Sequence, residues 1–85
     1  MADVIVYSSD ACPYCVRAKA LLDSKGVEYT ENKLALHDFE ARQNLAKLTG
    51  RFTVPQIIID GDAIGGWDEL SALDRAGELD PRLAA

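Results

Sequence analysis

Cysteine, histidine and basic residues are all scarce in this sequence. It contains 2 cysteines and a single histidine, His37, which together fall one short of the four ligands of a structural zinc site. Two cysteines are also too few for the disulfide framework of a small secreted protein. The 9 lysines and arginines are outnumbered by 14 acids, which argues against non-specific binding to nucleic acid.

Long apolar runs are absent as well. No segment approaches the ~20 apolar residues that span a bilayer, and the first residues lack the basic leader and apolar stretch of a signal peptide. The sequence therefore predicts no membrane partner and a cytoplasmic location. Its 85 residues are enough for one core, so we expect a single domain over residues 1–85.

The predicted order of elements is βαβαββα. A strand–helix–strand unit should be parallel and right-handed, and Asp60-Gly61 is a strong signal for an antiparallel hairpin. Residues 32–37 give no clear pattern. The fold class is thus α/β, a four-stranded mixed sheet with helices on both faces. The strands are expected at residues 3–7, 27–30, 56–59 and 63–64, the helices at 13–25, 38–48 and 67–76, and a last short turn at 80–81.

The predicted buried positions follow the period of each element. Residues 4–6 are continuously apolar, which indicates a strand buried on both faces. On two helices the apolar positions recur at helical spacing: Cys15, Ala18 and Leu22 on the first, and Ala41, Leu45 and Leu48 on the second.

Both cysteines fall where the first helix begins. With Pro13 at the first helical position, Cys12 is expected to cap the helix, facing its unpaired N–H groups and the positive end of its dipole. Both favour the thiolate, so we expect the pKa of the Cys12 thiol to lie below its ordinary value of ~8.5. Cys15, one turn later, should be more buried and within reach of a disulfide. The pair therefore predicts one attacking and one resolving sulfur.

Three other interpretations of the pair remain open from the residues alone. A zinc site with His37 would need a fourth ligand. An iron–sulfur cluster on a dimer would need ligands from outside the chain. Two buried cysteines can also be inert, although this spacing after a strand makes that reading weaker.

Three motifs resemble a known family. Cys12-Pro13-Tyr14-Cys15 after the first strand, Thr53-Val54-Pro55 before the third and the run from Gly65 to Glu69 at the last helix are similar to a dithiol glutaredoxin with the thioredoxin fold. The similarity is greatest to the bacterial glutaredoxin 3 group and covers nearly the whole chain.

The resemblance implies a glutathione-dependent thiol–disulfide oxidoreductase. The Cys12 thiolate would attack a protein disulfide or a glutathione mixed disulfide. Either a second glutathione or Cys15 would then release Cys12. Glutathione is the implied reducing co-substrate, with no metal and with glutathione reductase acting indirectly. Glutathionylated or disulfide-containing proteins are the implied partners of a monomer, with ribonucleotide reductase as one candidate. A donor dedicated to that enzyme and reduced by thioredoxin reductase, or a cluster-binding module, is the alternative.

The resemblance also implies where glutathione lies. A cis bond before Pro55 would expose the Val54 backbone to the peptide, and the start of the last helix would hold the γ-glutamyl carboxylate, with Asp68 on its ammonium. The expected glutathione-binding residues are Tyr14, Arg42, Arg51, Thr53, Val54, Pro55, Gly66, Trp67 and Asp68.

One position departs from the family pattern. Many glutaredoxins carry a lysine three residues before the nucleophile, where this chain has Ser9. Arg42 and Arg51 are then the candidates to hold the glycine carboxylate of glutathione. Arg17 and Lys19 are expected to give the Cys12 thiolate only distant help.

Overall fold

A computed structural model describes residues 2–35, 38–51 and 53–84. His37, the histidine of the alternative zinc site, lies outside these residues. The elements in chain order are β1 (Val4–Ser8), α1 (Pro13–Ser24), β2 (Thr30–Lys33), α2 (Phe39–Thr49), β3 (Gln56–Ile59), β4 (Asp62–Gly65), α3 (Trp67–Arg75) and α4 (Leu79–Ala84).

The four strands form one mixed sheet in the order β2-β1-β3-β4. The pairing of β1 with β2 is parallel, as predicted for the first strand–helix–strand unit. The β1–β3 and β3–β4 pairings are antiparallel. The hairpin between β3 and β4 turns at Asp60 and Gly61, which both have positive φ, 50° and 83°. This confirms the predicted mixed sheet and the Asp60-Gly61 turn.

The helices cover both faces of the sheet. On one face, α1, α3 and α4 pack their apolar side chains on β1 and β3. Two further apolar side chains are buried away from this group. They are Leu45 of α2, and Ile58, which points to the opposite face of the sheet from Ile57 and Ile59. The main cluster consists of Val4, Val6, Ala18, Leu22, Ile57, Ile59, Leu70, Leu79 and Leu83.

The helix ends follow the predicted signals. Cys12 is the N-cap of α1 and Pro13 is its first residue. Asp38 caps α2, since its carboxylate accepts a hydrogen bond of 3.0 Å from the Ala41 N–H, and Gly50 ends α2 with φ 80°. In the described part of the chain, no helix is both long and apolar enough to cross a membrane.

The predicted second strand was wrong in position. It was expected at residues 27–30, but β2 is Thr30–Lys33, half of it within the segment that gave no pattern. Val27 and Tyr29 do pack against the core, half-buried, but they precede the ladder. Hydrogen bonding to β1 decides the strand, because Thr30 to Lys33 run opposite Ile5 to Ser8.

Three further predictions need correction. Leu48 was expected on the buried face of α2, but 55% of it is exposed, and Ala41 is half-buried; of the three predicted positions only Leu45 is in the core. β1 is fully buried on one face only, through Val4, Val6 and Ser8, because the face carrying Ile5 is half-covered. The expected turn at 80–81 is the six-residue helix α4, which Leu79 and Leu83 anchor in the core.

Candidate active site

Cys12 and Cys15 are joined by a disulfide at the start of α1. The Cys15 N–H donates a hydrogen bond of 3.1 Å to the Cys12 sulfur, so the sulfur caps the first turn of the helix. Cys12 is half-buried, whereas only 1% of Cys15 is exposed. The predicted cap, disulfide and difference in burial are all present.

The loop before β3 lies beside the Cys12 sulfur. The carbonyl oxygen of Val54 is 3.8 Å from the Cys12 sulfur, and the peptide bond between Val54 and Pro55 is cis, as the resemblance implied. Gln56, the first residue of β3, is buried and donates a hydrogen bond of 3.2 Å to the Thr53 hydroxyl. Its amide therefore ties the loop to the sheet.

A groove of about 220 Å³ runs between Tyr14 at the start of α1, the cis-proline loop and the start of α3; we call it the Pro55 groove. Gly66 lets the last two approach closely, because a Cβ at that position would lie 3.2 Å from the Pro55 carbonyl oxygen. Eight of the nine residues predicted to bind glutathione line this groove together with Glu69: Tyr14, Arg51, Thr53, Val54, Pro55, Gly66, Trp67 and Asp68.

Glu69 was not among the predicted site residues, yet it organises one end of the groove. Its carboxylate accepts a hydrogen bond of 3.2 Å from the Gly66 N–H and forms an ion pair with Arg51. These interactions, with the Gly66 N–H first, hold the pKa of Glu69 below its ordinary value. The sequence signal was a glutamate three residues after a helix N-cap, the position from which such a side chain bonds back.

Arg42, the ninth predicted residue, is placed elsewhere. It is half-buried on α2 and is not among the described residues that line the Pro55 groove. Tyr14 has 54% of its surface exposed, and the Arg17 guanidinium lies 5.4 Å from the centre of its ring. Tyr14 is therefore held over the helix start by a cation–π contact.

The chain is similar to known proteins over nearly its full length. The glutaredoxin family model matches residues 4–64. Glutaredoxin 3 of Escherichia coli (strain K12) is 52% identical over 83 residues, which is 98% of this chain and 99% of that relative.

The chain belongs to the glutaredoxin family. A glutaredoxin of Pseudomonas aeruginosa is 47% identical over 85 residues, the full length of both chains. The crystal structure of a buckwheat glutaredoxin–glutathione complex superposes with a TM-score of 0.90 at 34% identity, over 98% of this chain and 77% of that one. As a glutaredoxin with the thioredoxin fold, the protein is a glutathione-dependent thiol–disulfide oxidoreductase.

The structure also places a second group of charged residues near this glutaredoxin's cysteines. A cavity of about 520 Å³ is lined by Cys12, Cys15, Lys19, Lys33 and Asp10, among others; we call it the lysine cavity. From its position in the sequence Lys19 was expected to have only a distant role, and Lys33 was not among the predicted residues. Across the described ranges, no three histidine, cysteine or acidic side chains are grouped closely enough to hold a metal ion.

Proposed function

We propose that Cys12 is the nucleophile and Cys15 the resolving residue in the reduction of glutathione mixed disulfides and protein disulfides. The Cys12 thiolate attacks the glutathione sulfur of a mixed disulfide, and the protein thiolate leaves. Cys12 is then bonded to glutathione. Attack by a second glutathione thiolate regenerates Cys12 and yields oxidised glutathione. Alternatively, the Cys15 thiolate attacks Cys12, glutathione leaves, and two further glutathiones reduce the internal disulfide.

The observation that supports this assignment is the unequal placement of the two sulfurs. Cys12 caps α1 and is half-buried, with its sulfur 3.8 Å from the carbonyl oxygen of Val54, a residue that lines the Pro55 groove, whereas Cys15 is buried. The Cys15 N–H at 3.1 Å and the start of the helix both favour negative charge on the Cys12 sulfur. The attacking group is thereby activated without a separate base.

Glutathione is proposed to lie in the Pro55 groove in an extended form. The Val54 backbone, next to the Cys12 sulfur, would pair with the cysteine residue of glutathione as in strand addition. Thr53 and Pro55 would line the same side. Tyr14 and Trp67 would form the walls on either side of the peptide.

The charged ends of glutathione would be held by groups that line this groove. The start of α3, with Gly66 and Asp68, would take the γ-glutamyl group, since Asp68 supplies an acid for its ammonium. Arg51 is the one lysine or arginine among the described residues that line the groove, so the glycine carboxylate is assigned to Arg51 in preference to Arg42. The pair with Glu69 would keep that guanidinium in place.

The partners follow from the reaction. The protein would act as a cytoplasmic monomer on glutathionylated or disulfide-containing proteins, with ribonucleotide reductase as a candidate. Glutathione reductase would act indirectly, by regenerating glutathione. Neither nucleic acid nor a membrane is a proposed partner.

The test is deglutathionylation in the presence of glutathione and glutathione reductase. Cys12→Ser should lose all activity, because the remaining cysteine, Cys15, is buried and cannot take over the attack. Cys15→Ser should retain substantial activity, because a second glutathione can release Cys12. Equal loss in both variants would mean that only the route through the internal disulfide operates. Activity that survives Cys12→Ser would overturn the choice of nucleophile.

A further inference from the structure

One charged residue that lines the lysine cavity, Lys19, lies on the same stripe of α1 as the buried Cys15. Lys19 follows Cys15 by four residues, one helical turn, so their side chains are neighbours on α1. Both residues line the cavity, and so does Cys12. The reaction proposed above gives no role to Lys19.

Lys19 is held in place by an acid on β2, which is itself bonded to a residue of β1. Its ammonium donates a hydrogen bond of 2.8 Å to Oε2 of Glu31 on β2. The hydroxyl of Ser8, the fully buried last residue of β1, donates one of 2.6 Å to the same oxygen. The Glu31 hydrogen bond raises the pKa of Lys19 above its ordinary value, so the lysine stays charged at neutral pH.

The two residues of this pair are not equally placed with respect to the cavity. Lys19 lines it, whereas Glu31 is not among the described residues that do. Of the pair, the basic residue is therefore the one that shares the cavity with Cys15. A cation so placed favours the thiolate form of a neighbouring cysteine.

We propose that the Lys19 ammonium, positioned by Glu31 and Ser8, stabilises the thiolate of Cys15 and so speeds the release of glutathione from Cys12. This inference rests on the proposed function. In that step the Cys15 thiol first gives its proton to solvent. Its sulfur then bonds to the Cys12 sulfur while the bond from Cys12 to glutathione breaks, and glutathione leaves as a thiolate. Lys19 is a positioning residue that acts through Cys15.

The other charged groups that face the cavity are Lys33 and Asp10. They pair with each other at 3.4 Å, and their side chains are 57% and 87% exposed. A pair in that much solvent is strongly screened. Lys33 therefore serves as the matched control, a second lysine on the same cavity with little expected effect on Cys15.

The first experiment needs no glutathione and so does not depend on the proposed function. In Cys12→Ser protein the remaining thiol is Cys15, and its titration is followed by the NMR shift of its β carbon. Adding Lys19→Met should raise the pKa of Cys15 by about one unit. Lys19→Arg and Lys33→Met should leave it nearly unchanged. An unchanged or lowered value in Lys19→Met would overturn the proposal.

Glu31→Gln separates an electrostatic role from a structural one. It removes the negative charge that opposes a Cys15 thiolate but keeps an oxygen to hold Lys19, so the pKa of Cys15 should fall. If the network only supports the fold, Lys19→Met and Glu31→Gln should shift the titration in the same direction. A rise or no change in Glu31→Gln would contradict the proposal, including in the case where Lys19→Met does not fold.

The second experiment measures the step itself. Reduced protein is mixed with oxidised glutathione, quenched with acid at intervals and weighed by mass spectrometry, which separates the mixed disulfide from the internal one. In Lys19→Met the mixed disulfide should decay about tenfold more slowly at neutral pH, with its pH profile moved up by about one unit. An unshifted profile, or an equal shift in Lys33→Met, would overturn the proposal. Failure to form any mixed disulfide would instead count against the proposed function.

Discussion

Cys12 and Cys15 differ in their surroundings although only two residues separate them. A proline at the first helical position leaves Cys12 outside the helix as its cap, while Cys15 lies on the inward stripe with Ala18 and Leu22. The Cys12 sulfur therefore meets a helix N–H group and lies beside Val54, whereas Cys15 lies in the core; both cysteines line the lysine cavity. Residue type, spacing and helix phase together produce this difference, on which the two proposed roles rest.

Arg51 gives a prediction at the residue scale. Arg51→Met should raise KM for a glutathionylated peptide about tenfold, because it removes the proposed charged hydrogen bond to glutathione, worth about 1.4 kcal/mol. The free energy of unfolding should change by less than about 1 kcal/mol, because the pair with Glu69 is half exposed. Steady-state kinetics and urea unfolding measure the two effects.

Arg82→Met is the matched control for Arg51. Arg82 is also a half-exposed arginine facing an acid, at 3.9 Å from Asp62, but it lies on α4 and not in the described lining of the Pro55 groove. Its KM should equal that of the wild type. A wild-type KM in Arg51→Met would remove Arg51 from the binding site.

Single site residues could be predicted to different degrees. The cysteines followed from their spacing and helix phase, and the groove residues followed from the resemblance to glutaredoxins. Glu69 was missed because its role depends on the contacts of its side chain with the Gly66 N–H and Arg51. Its sequence motif is equally typical of an ordinary helix start. The binding role of each residue stays a prediction.

At the scale of elements, one carboxylate joins three of them. Glu31 on β2 accepts hydrogen bonds from Lys19 on α1 and from Ser8 on β1. The Lys19 hydrogen bond, followed by that of Ser8, holds the pKa of Glu31 below its ordinary value of 4.5. A carboxylate with a lowered pKa in the folded state adds stability above its unfolded pKa and loses it as the pH falls through the folded value.

Glu31→Gln should therefore change the acid side of the stability curve. Near pH 7 the variant should be less stable than the wild type by about 1 kcal/mol, since the pair is only about one quarter exposed. The two curves should converge below pH 4.5, where the wild-type carboxylate becomes protonated. Urea unfolding at a series of pH values measures this.

Glu28→Gln, which removes an exposed acid just before β2, controls for the change in net charge. A constant difference between Glu31→Gln and the wild type at every pH would show that the ionised carboxylate is not what stabilises the three elements.

The register of β2 explains why this network was not predicted. A strand at residues 27–30 would end before Glu31, whereas the observed ladder pairs Glu31 with Val6, two residues from Ser8 and on the same face of β1. The apolar character of Val27 and Tyr29 favoured the earlier position, but those residues pack against the core without joining the ladder. Pairing with a distant strand is not visible in local propensity.

At the scale of the whole molecule, the core ties the two ends of the chain together. Leu79 and Leu83 of α4 pack into the same cluster as β1, and the Ala2 N–H donates a hydrogen bond of 3.3 Å to the Leu83 carbonyl. The sequence indicated only a turn here, because a six-residue helix has little intrinsic stability and forms through packing. The mixed sheet itself was predictable, because the order of elements and one hairpin turn determine it.

Leucine positions give a test of the observed core. Leu79→Ala should lower the free energy of unfolding by about 2–5 kcal/mol, because Leu79 is fully buried. Leu48→Ala should change it by no more than about 0.5 kcal/mol, because Leu48 lies largely in solvent. Urea unfolding compares the two. A large loss in Leu48→Ala, or a small one in Leu79→Ala, would mean that the buried face of α2 or the docking of α4 is not as described.

The ionisation of Cys12 in the reduced protein tests the central claim most directly. The measurement is the rate of alkylation by iodoacetamide against pH in Cys15→Ser, in which Cys12 is the single thiol. Because Cys12 caps α1, we expect the rate to reach half its maximum at or below about pH 7, more than one unit under the ordinary thiol pKa of ~8.5. A midpoint at 8.5 or above would contradict activation of this sulfur by the start of the helix.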